Sequence, residues 1–318
     1  MGPHWNWDFE DEQRASRMPG SSQPSARQSG RKTRLRRRRL GAAAAATLCL
    51  AAILGALLGA GRHGASSSAS APADMHRLQP APTKRPTDTL EEGERAVSSV
   101  LAYTPFVKAG GARARDVALT FDDGPGPYTP AVLSVLERAH APATFFAIGE
   151  MERYFSSSTI RELHDGDVVG DHTETHPELA RLSAHDQYEE LFEQIARIEL
   201  LGGPRPRLFR PPYGSFDATT FRELRALHLL MVLWSVDTGD YLQPGVDAIV
   251  QRALAGAKPG AIILMHDAGG NRSQTVAALP TLIRDLRARG FDLVTVPQLL
   301  ADDPPPRGQQ VPKSLSGD

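Results

Sequence analysis

Two adjacent carboxylates, Asp122 and Asp123, close a short apolar run from Val117 to Phe121 and are followed by Gly124-Pro125. The run reads as a buried strand and the Gly-Pro step as a sharp turn at its C-terminal end. Like charges side by side are costly there, and a bound cation would relieve the cost. Alone, the stretch is an acidic turn; it becomes a site only with partners. His172-Thr173-Glu174-Thr175-His176 separates two imidazoles by four residues. On one helical turn both would face the same way, a spacing suited to a divalent metal; the alternative is a solvated turn. It is not the zinc-protease H-E-x-x-H, because Glu174 holds the third place. Further along stand Arg210-Pro211-Pro212-Tyr213, then Asp237 and Asp240, then His266 and Asp267.

One aspartate with two histidines supplies three N and O donors and leaves a coordination position open. Zn2+ is the leading ion for such a set, with Co2+, Mn2+ and Ni2+ as alternatives. It would lower the pKa of a water towards about 7 and polarise a carbonyl. The other carboxylate of the pair is then free as a general base, and Arg210 can pair with it and keep it ionised. His266 can protonate a leaving group, with Asp240 orienting its ring and stabilising its charged form. The loop at Tyr213 can present a backbone N–H to an oxyanion. Together these parts describe metal-assisted hydrolysis of an amide or ester. Spacing alone does not say which carboxylate ligates and which acts as base.

These residues need a scaffold that brings them together. From Arg115 onward apolar runs alternate with helical periodicity, the runs being 117–121, 143–148, 167–171, 207–209, 229–236, 261–265 and 291–296. Between them, Ser183 with Asp186 three residues on forms a variant capping box before a face of Tyr188, Leu191, Phe192, Ile195 and Ile198. Val246, Ile249, Val250, Ala253 and Leu254 make a second face, and Val276, Leu279, Ile283 and Leu286 a third, which Pro280 should kink or restart. Repeated βα units imply parallel strands with helices outside. The pattern predicts an α/β barrel of about seven parallel strands, with a doubly wound open sheet as the alternative. The candidate residues fall at the C-terminal ends of the runs, which share one face in a parallel barrel.

The rest of the chain is of other character. Of 318 residues with net charge −1, residues 1–39 hold ten Lys/Arg against four Asp/Glu, a balance of +6, so the remaining 279 carry −7. That confines the basic character to a tail, read as disordered and cytoplasmic, and argues against a nucleic-acid-binding core. Residues 40–61 are uncharged and Ala/Leu-rich. As a helix they would span about 33 Å, enough to cross a bilayer, and the basic run at 31–39 keeps the N-terminus inside. A cleaved signal ending near Ala69-Ser70-Ala71 is the alternative. Residues 62–112 read as a Ser/Ala/Pro-rich linker, in which Glu91 to Leu101 could make an isolated helix, 113–301 as the catalytic domain and 302–318 as a loose tail. The single cysteine, Cys49, excludes an intrachain disulfide or a cysteine zinc site. Asn271-Arg272-Ser273 matches a glycosylation acceptor, although nothing in the sequence indicates a glycosylating host.

T-F-D-D-G-P at 120–125, H-T-E-T-H at 172–176, R-P-P-Y at 210–213, S-V-D-T-G-D-Y at 235–241 and L-M-H at 264–266 stand in an order that resembles the polysaccharide deacetylases of the NodB-homology type, carbohydrate esterase family 4. The resemblance spans about 115–300. It implies a distorted (β/α) barrel and a metal-dependent deacetylase of acetylated sugars. It also implies roles: Asp122 the base, Asp123, His172 and His176 the metal ligands, Arg210 the holder of the base. Tyr213 would give its backbone to the oxyanion hole, Asp240 would support the acid His266, and Leu264 would line the acetyl-methyl pocket. Tyr241 stands where the family often has Trp, and both can stack on sugar. Asp171 stands where Asn is frequent; its charge could tune the metal site or cap the turn. The expected substrate is an N-acetylated amino sugar of an extracytoplasmic glycan, peptidoglycan first because a membrane-tethered enzyme samples its surroundings, with chitin oligosaccharides and acetyl-xylan as alternatives. A hydrolase of some other amide or ester on the same face is a further reading. A non-catalytic glycan-binding module would be natural if Asp122 or His266 were missing; both are present.

Overall fold

The structure, a computed structural model, describes residues 86–308. In chain order its main elements are α1 (Pro86–Leu101), β1 (Phe106–Val107), β2 (Asp116–Asp122), α2 (Thr129–Ala139), β3 (Thr144–Ala147), α3 (Gly149–Asp165), β4 (Val168–Asp171), α4 (Ala184–Leu200), β5 (Leu208–Phe209), α5 (Ala218–Leu227), β6 (Leu230–Val232), β7 (Val236–Asp237), α6 (Val246–Gly256), β8 (Ala261–His266), α7 (Ser273–Ala288), β9 (Asp292–Leu293) and α8 (Val296–Asp302). The strands form one sheet in the order β1-β6-β5-β4-β3-β2-β8-β7, with β9 on the start of β2, and every ladder is parallel.

Strand β2 is buried along its whole length because both of its faces are covered. Val117, Leu119 and Phe121 join the layer between sheet and helices, with Leu133 of α2, Ile249 of α6 and Leu279 of α7. Ala118, on the opposite face of the pleat, belongs to a cluster with Phe146, Leu208, Leu230, Val232 and Ile262. That second cluster is the interior of a curled sheet, and Thr120 and Asp122 follow Ala118 on the same face. Gly170 of β4 makes room there, since a Cβ in its place would stand 2.8 Å from the Phe146 ring.

The run 229–236 is not one strand. β6 pairs with β5 and β1, β7 pairs with β8, and the chain crosses between the two ladders. Leu233 N–H donates to Val107 O at 2.8 Å and Ser235 N–H to Ile262 O at 3.1 Å. With β1 added, the strands number nine rather than about seven. The ends of the sheet meet through irregular backbone, where Gly110 N–H donates to Gly260 O at 2.8 Å. This is a distorted relative of the (β/α) barrel, not an open doubly wound sheet.

The expected boundaries also change. Residues 86–112 are not linker: α1 buries Val97 and Val100 against the interior cluster, beside Val296, Leu299 and Leu300 of α8. Two buried valines contribute roughly 1.5–3 kcal/mol each. The helix pair closes the end of the barrel where β1 begins. At the other terminus, residues 302–308 belong to the domain. Asp303 is buried and accepts from Arg113 Nη2 at 2.7 Å, and Tyr103 Oη donates to Pro305 O at 2.8 Å. The tail at 1–39, the anchor at 40–61, the linker at 62–85 and residues 309–318 lie outside the described residues. Among the described residues no helix is long and apolar enough to cross a membrane.

Helix α4 starts as expected, with Ser183 Oγ accepting from Asp186 N–H at 3.3 Å. Helix α7 does not restart at Pro280 but runs through it. An interior proline costs about 3 kcal/mol; the buried Leu279, Leu282, Ile283 and Leu286 on either side hold the helix together against that.

Candidate metal centre and active site

The tip of β2 turns abruptly. Asp122 is extended, but Asp123 has φ 71, a left-handed backbone that aspartate tolerates better than most residues. This turn separates the two side chains. Asp122 Oδ1 accepts from Arg210 Nη1 at 2.7 Å, and Asp122 Oδ2 lies 3.9 Å from His172 Nε2. Asp123 Oδ1 lies 3.5 Å from His172 Nε2 and 3.1 Å from His176 Nε2.

The two histidines do not share a helical turn. They lie in a loop after β4, with positive φ at Thr173 and His176. Asp171 Oδ1 accepts Thr173 N–H at 2.7 Å, so Asp171 caps this turn. Burial pushes its carboxyl well above the usual range. The N-terminus of α3 grips the loop from outside: Gly149 N–H donates to Thr173 O at 3.1 Å and Glu150 N–H to Glu174 O at 2.8 Å. Glu174, buried, is clamped by Arg153 and, at 3.2 Å, by Arg197. The loop is thus rigid without being helical.

His172 Nδ1 lies 2.7 Å from Arg210 O. A carbonyl only accepts, so Nδ1 carries the proton and Nε2 keeps its lone pair on the Asp123 side. His176 presents Nε2 to the same oxygen, and its buried Nδ1 has no hydrogen-bond partner. One donor atom from each of Asp123, His172 and His176 lies within 4.8 Å of the others. Buried N and O donors, one tautomer fixed by an outer carbonyl, fit a divalent ion such as Zn2+. Burial pushes the Asp123 carboxyl up, but His176, hydrogen bonds from His172 and His176, and His266 together hold it well below its ordinary value.

Arg210 fills the barrel interior above Phe146, its guanidinium 4.2 Å from the ring centre. Nε donates to Val232 O at 3.0 Å and Nη1 to Thr120 Oγ1 at 2.9 Å. Burial lowers its pKa, opposed by Asp122. On the far side of the mouth, His266 Nδ1 pairs with Asp240 Oδ1 at 2.8 Å, and His266 N–H and Thr275 Oγ1 donate to Asp240 Oδ2 at 2.9 and 2.7 Å. Burial alone would lower the His266 pKa; Asp240 outweighs it and raises it to about 9. Burial likewise opposes ionisation of Asp240, and His266 with Thr275 and Arg272 brings it below its ordinary value. The ring is therefore charged at neutral pH, with Nε2 the nitrogen left to give up a proton.

Tyr213 sits at φ 56 in a short 3-10 turn, its ring half-exposed and edge-on to His176 at 4.6 Å. Tyr241 stands edge-on to His266 at 5.4 Å. Leu264 is buried one pleat before His266, opposite Thr120. All ten expected site residues therefore gather at the C-terminal end of the sheet. Asp237, the last residue of β7, caps its own turn by accepting Gly239 N–H at 2.8 Å.

Four supporting residues were assigned no role from the sequence, although Thr120, Glu174 and Asp267 stand within or beside its motifs. Thr120 shares Arg210, Glu174 anchors the histidine loop, and Asp267 is buried under the β2 turn, where it accepts from Thr129 Oγ1 and donates its N–H to Asp122 O at 3.2 Å. Burial raises the Asp267 pKa to about 7. The fourth, Arg272, is wholly buried beside Asp123.

Comparison with known proteins bears on this geometry. The sequence pattern described as polysaccharide deacetylase matches residues 109–232. A chitooligosaccharide deacetylase from Bradyrhizobium sp. is 39% identical over 198 residues, which is 58% of this chain and 90% of that protein. A peptidoglycan-N-acetylglucosamine deacetylase from Bacillus cereus is 38% identical over 198 residues, covering 58% of this chain and 87% of its own. Among solved structures, a peptidoglycan N-acetylglucosamine deacetylase bound to a hydroxamate-type benzamide superposes with a TM-score of 0.61 at 33% identity, over 64% of this chain and 95% of that one.

Proposed function

The chain belongs to the polysaccharide deacetylase family, and from that premise we propose that it is a metal-dependent hydrolase removing acetyl groups from N-acetylated amino sugars, with peptidoglycan as its glycan. The observation that carries the reading is one mouth holding three parts: the Asp123–His172–His176 donor set, a carboxylate tied to Arg210, and an imidazolium tied to Asp240.

A divalent ion held by Asp123, His172 and His176 would supply Lewis acidity, polarising the acetyl carbonyl and acidifying the attacking water. Asp122 takes that water's proton. Its Oδ1 is committed to Arg210, so Oδ2, on the His172 side, is the accepting oxygen. The Tyr213 N–H donates to the carbonyl oxygen as negative charge builds there. His266 Nε2 then gives a proton to the sugar nitrogen as the C–N bond breaks, and acetate and a free amine leave. Leu264 walls the acetyl methyl, and the rings of Tyr213 and Tyr241 flank the sugar. Such a general acid and base each contribute about 10²–10⁴-fold.

Peptidoglycan is favoured over chitin oligosaccharides by the uncharged stretch at 40–61 with basic residues before it, which supports a membrane anchor and an extracytoplasmic domain. Both glycans are named among the relatives. The test is acetate release from peptidoglycan, chitooligosaccharides and acetyl-xylan, before and after chelation. Release from peptidoglycan that chelation abolishes and a divalent ion restores is the expected result. Activity that persists after verified metal removal refutes the mechanism. Anchoring predicts retention in membranes after an alkaline wash; a soluble product beginning near Pro72 refutes it.

A further inference from the structure

Arg272 is among the largest fully buried side chains, yet it takes no part in the apolar core or in the chemistry above. Its guanidinium lies beneath the loop joining β8 to α7. Nε donates to Ala268 O at 2.6 Å, Nη2 to Gly269 O at 2.9 Å and Nη1 to Tyr241 O at 3.4 Å. Nη2 also stands 3.9 Å from Asp123 Oδ2, the carboxylate oxygen that does not face the histidines. The loop closes on that same oxygen: a Cβ on Gly269, whose φ is 71, would run into Asp123 Oδ2. A Cβ on Gly126 would meet the Ala268 side chain at 2.5 Å, and Tyr128 Oη donates to Asn271 Oδ1 at 3.0 Å. The loop and the turn carrying Asp123 therefore fit together with no slack. Asn271-Arg272-Ser273 has a structural use here, since Asn271 Oδ1 also accepts Ser273 N–H at 3.0 Å where α7 begins.

A guanidinium beside a cation site presents a choice between two physical effects. Its charge repels a divalent ion, so charge alone predicts that removing Arg272 tightens metal binding. Its fork fixes the loop that closes on Asp123 Oδ2 and stands within ion-pair distance of that oxygen, so geometry predicts the reverse. Outer partners that orient a ligand typically matter by about 10–100-fold in metal affinity.

We propose that Arg272 is a positioning residue of the metal centre: it holds Asp123 through Oδ2 so that Oδ1 alone meets His172 and His176, and it ties that carboxylate to the Tyr241 carbonyl in the aromatic wall. The inference rests on the metal-dependent reading above. It makes the ligand and the wall one mechanical unit, so that loading the ion at one end stiffens the turn at the other.

The test uses the full-length protein in detergent, stripped of metal and titrated with Zn2+ against a chromophoric chelator. Arg272→Gln weakens Zn2+ binding by about 10–100-fold. Arg272→Lys keeps the charge but cannot hold three carbonyls in one plane; it also weakens binding, by a smaller factor, and shifts the visible absorption bands of the Co2+-loaded protein. Zn2+ binding by Arg272→Gln that equals or exceeds wild type overturns the proposal, as does a Co2+ spectrum unchanged in Arg272→Lys. Should both variants fail to fold, amide exchange in the wild type decides. Zn2+ then slows exchange at 269–272 and at 241–242, and no change at either place overturns the coupling. A wild-type protein that takes up neither ion overturns the metal-dependent reading itself, and this inference with it, before any variant is compared.

Discussion

Replacing Arg210 by Met tests the link between the barrel interior and the general base. The side chain keeps its length and loses its charge. Four bonds go with it: to Asp122 Oδ1 at 2.7 Å, Thr120 Oγ1 at 2.9 Å, Val232 O at 3.0 Å and Leu233 O at 3.4 Å. The main consequence is an Asp122 charge left unpaired where its side chain is 5% exposed. Breaking a buried pair by removing one partner costs about 3–5 kcal/mol. For a domain of this size 1 kcal/mol moves Tm by about 2–4 °C, so Tm should fall by roughly 6–20 °C. The loss comes from a stranded charge, so removing that charge too should recover part of it. Arg210→Met with Asp122→Asn should be more stable than the summed single losses predict, by about 2 kcal/mol or more. Guanidinium chloride unfolding of the four proteins, with m-values checked for constancy, measures this directly. A single-variant loss under about 1 kcal/mol, or strict additivity, refutes the assignment of Arg210 as the holder of Asp122.

Asp122→Asn should keep Zn2+ and lose turnover by roughly 10²–10⁴-fold, while His176→Ala loses the ion; metal analysis of both checks this, and loss of Zn2+ from Asp122→Asn means the two carboxylates trade roles. The His266 pKa of about 9 lies above its ordinary 6.5, so the pairing with Asp240 stabilises the metal-free fold in full below about 6.5 and is lost as pH rises through about 9. Urea midpoints across that window should fall in the wild type and fall less in Asp240→Asn; parallel curves contradict the pairing. Glu152 is buried, and burial pushes its pKa from 4.5 to about 8 against the opposing pull of Thr159 and Gln194. A neutral carboxyl costs little, so the penalty grows as pH climbs from about 4.5 towards 8. Glu152→Gln should therefore match wild-type stability near pH 4 and exceed it by about 2–4 kcal/mol at pH 8; an equal gain at both pH values points to packing instead.

The site was legible because chemistry in a parallel α/β sheet gathers at strand ends, and strand ends can be read from where apolar runs stop. Asp122, His172, Arg210 and His266 each follow such a run, so their convergence needed no contact information. What escaped was whatever depends on an unrepeated local geometry. Four-residue spacing at His172 and His176 suggests a helix, but two left-handed residues make a turn that brings the rings together without one. β1 has two residues, too few for any periodicity. α1 buries only a narrow stripe around Val97 and Val100 amid charge, and such a stripe next to a polar segment looks like linker. Arg272 resembled any surface arginine, because its burial is created by a loop folding over it and not by its neighbours in sequence.

The closing of the barrel by α1 and α8 has a consequence for how the domain can be joined to other things. The C-terminal end of the described chain leaves from the closed side: Pro305, just after α8, accepts from Tyr103 Oη, just after α1. The catalytic mouth lies at the opposite ends of the strands. A module fused at the C-terminal end is therefore mounted behind the enzyme, on the side away from the mouth where a long polymer must lie.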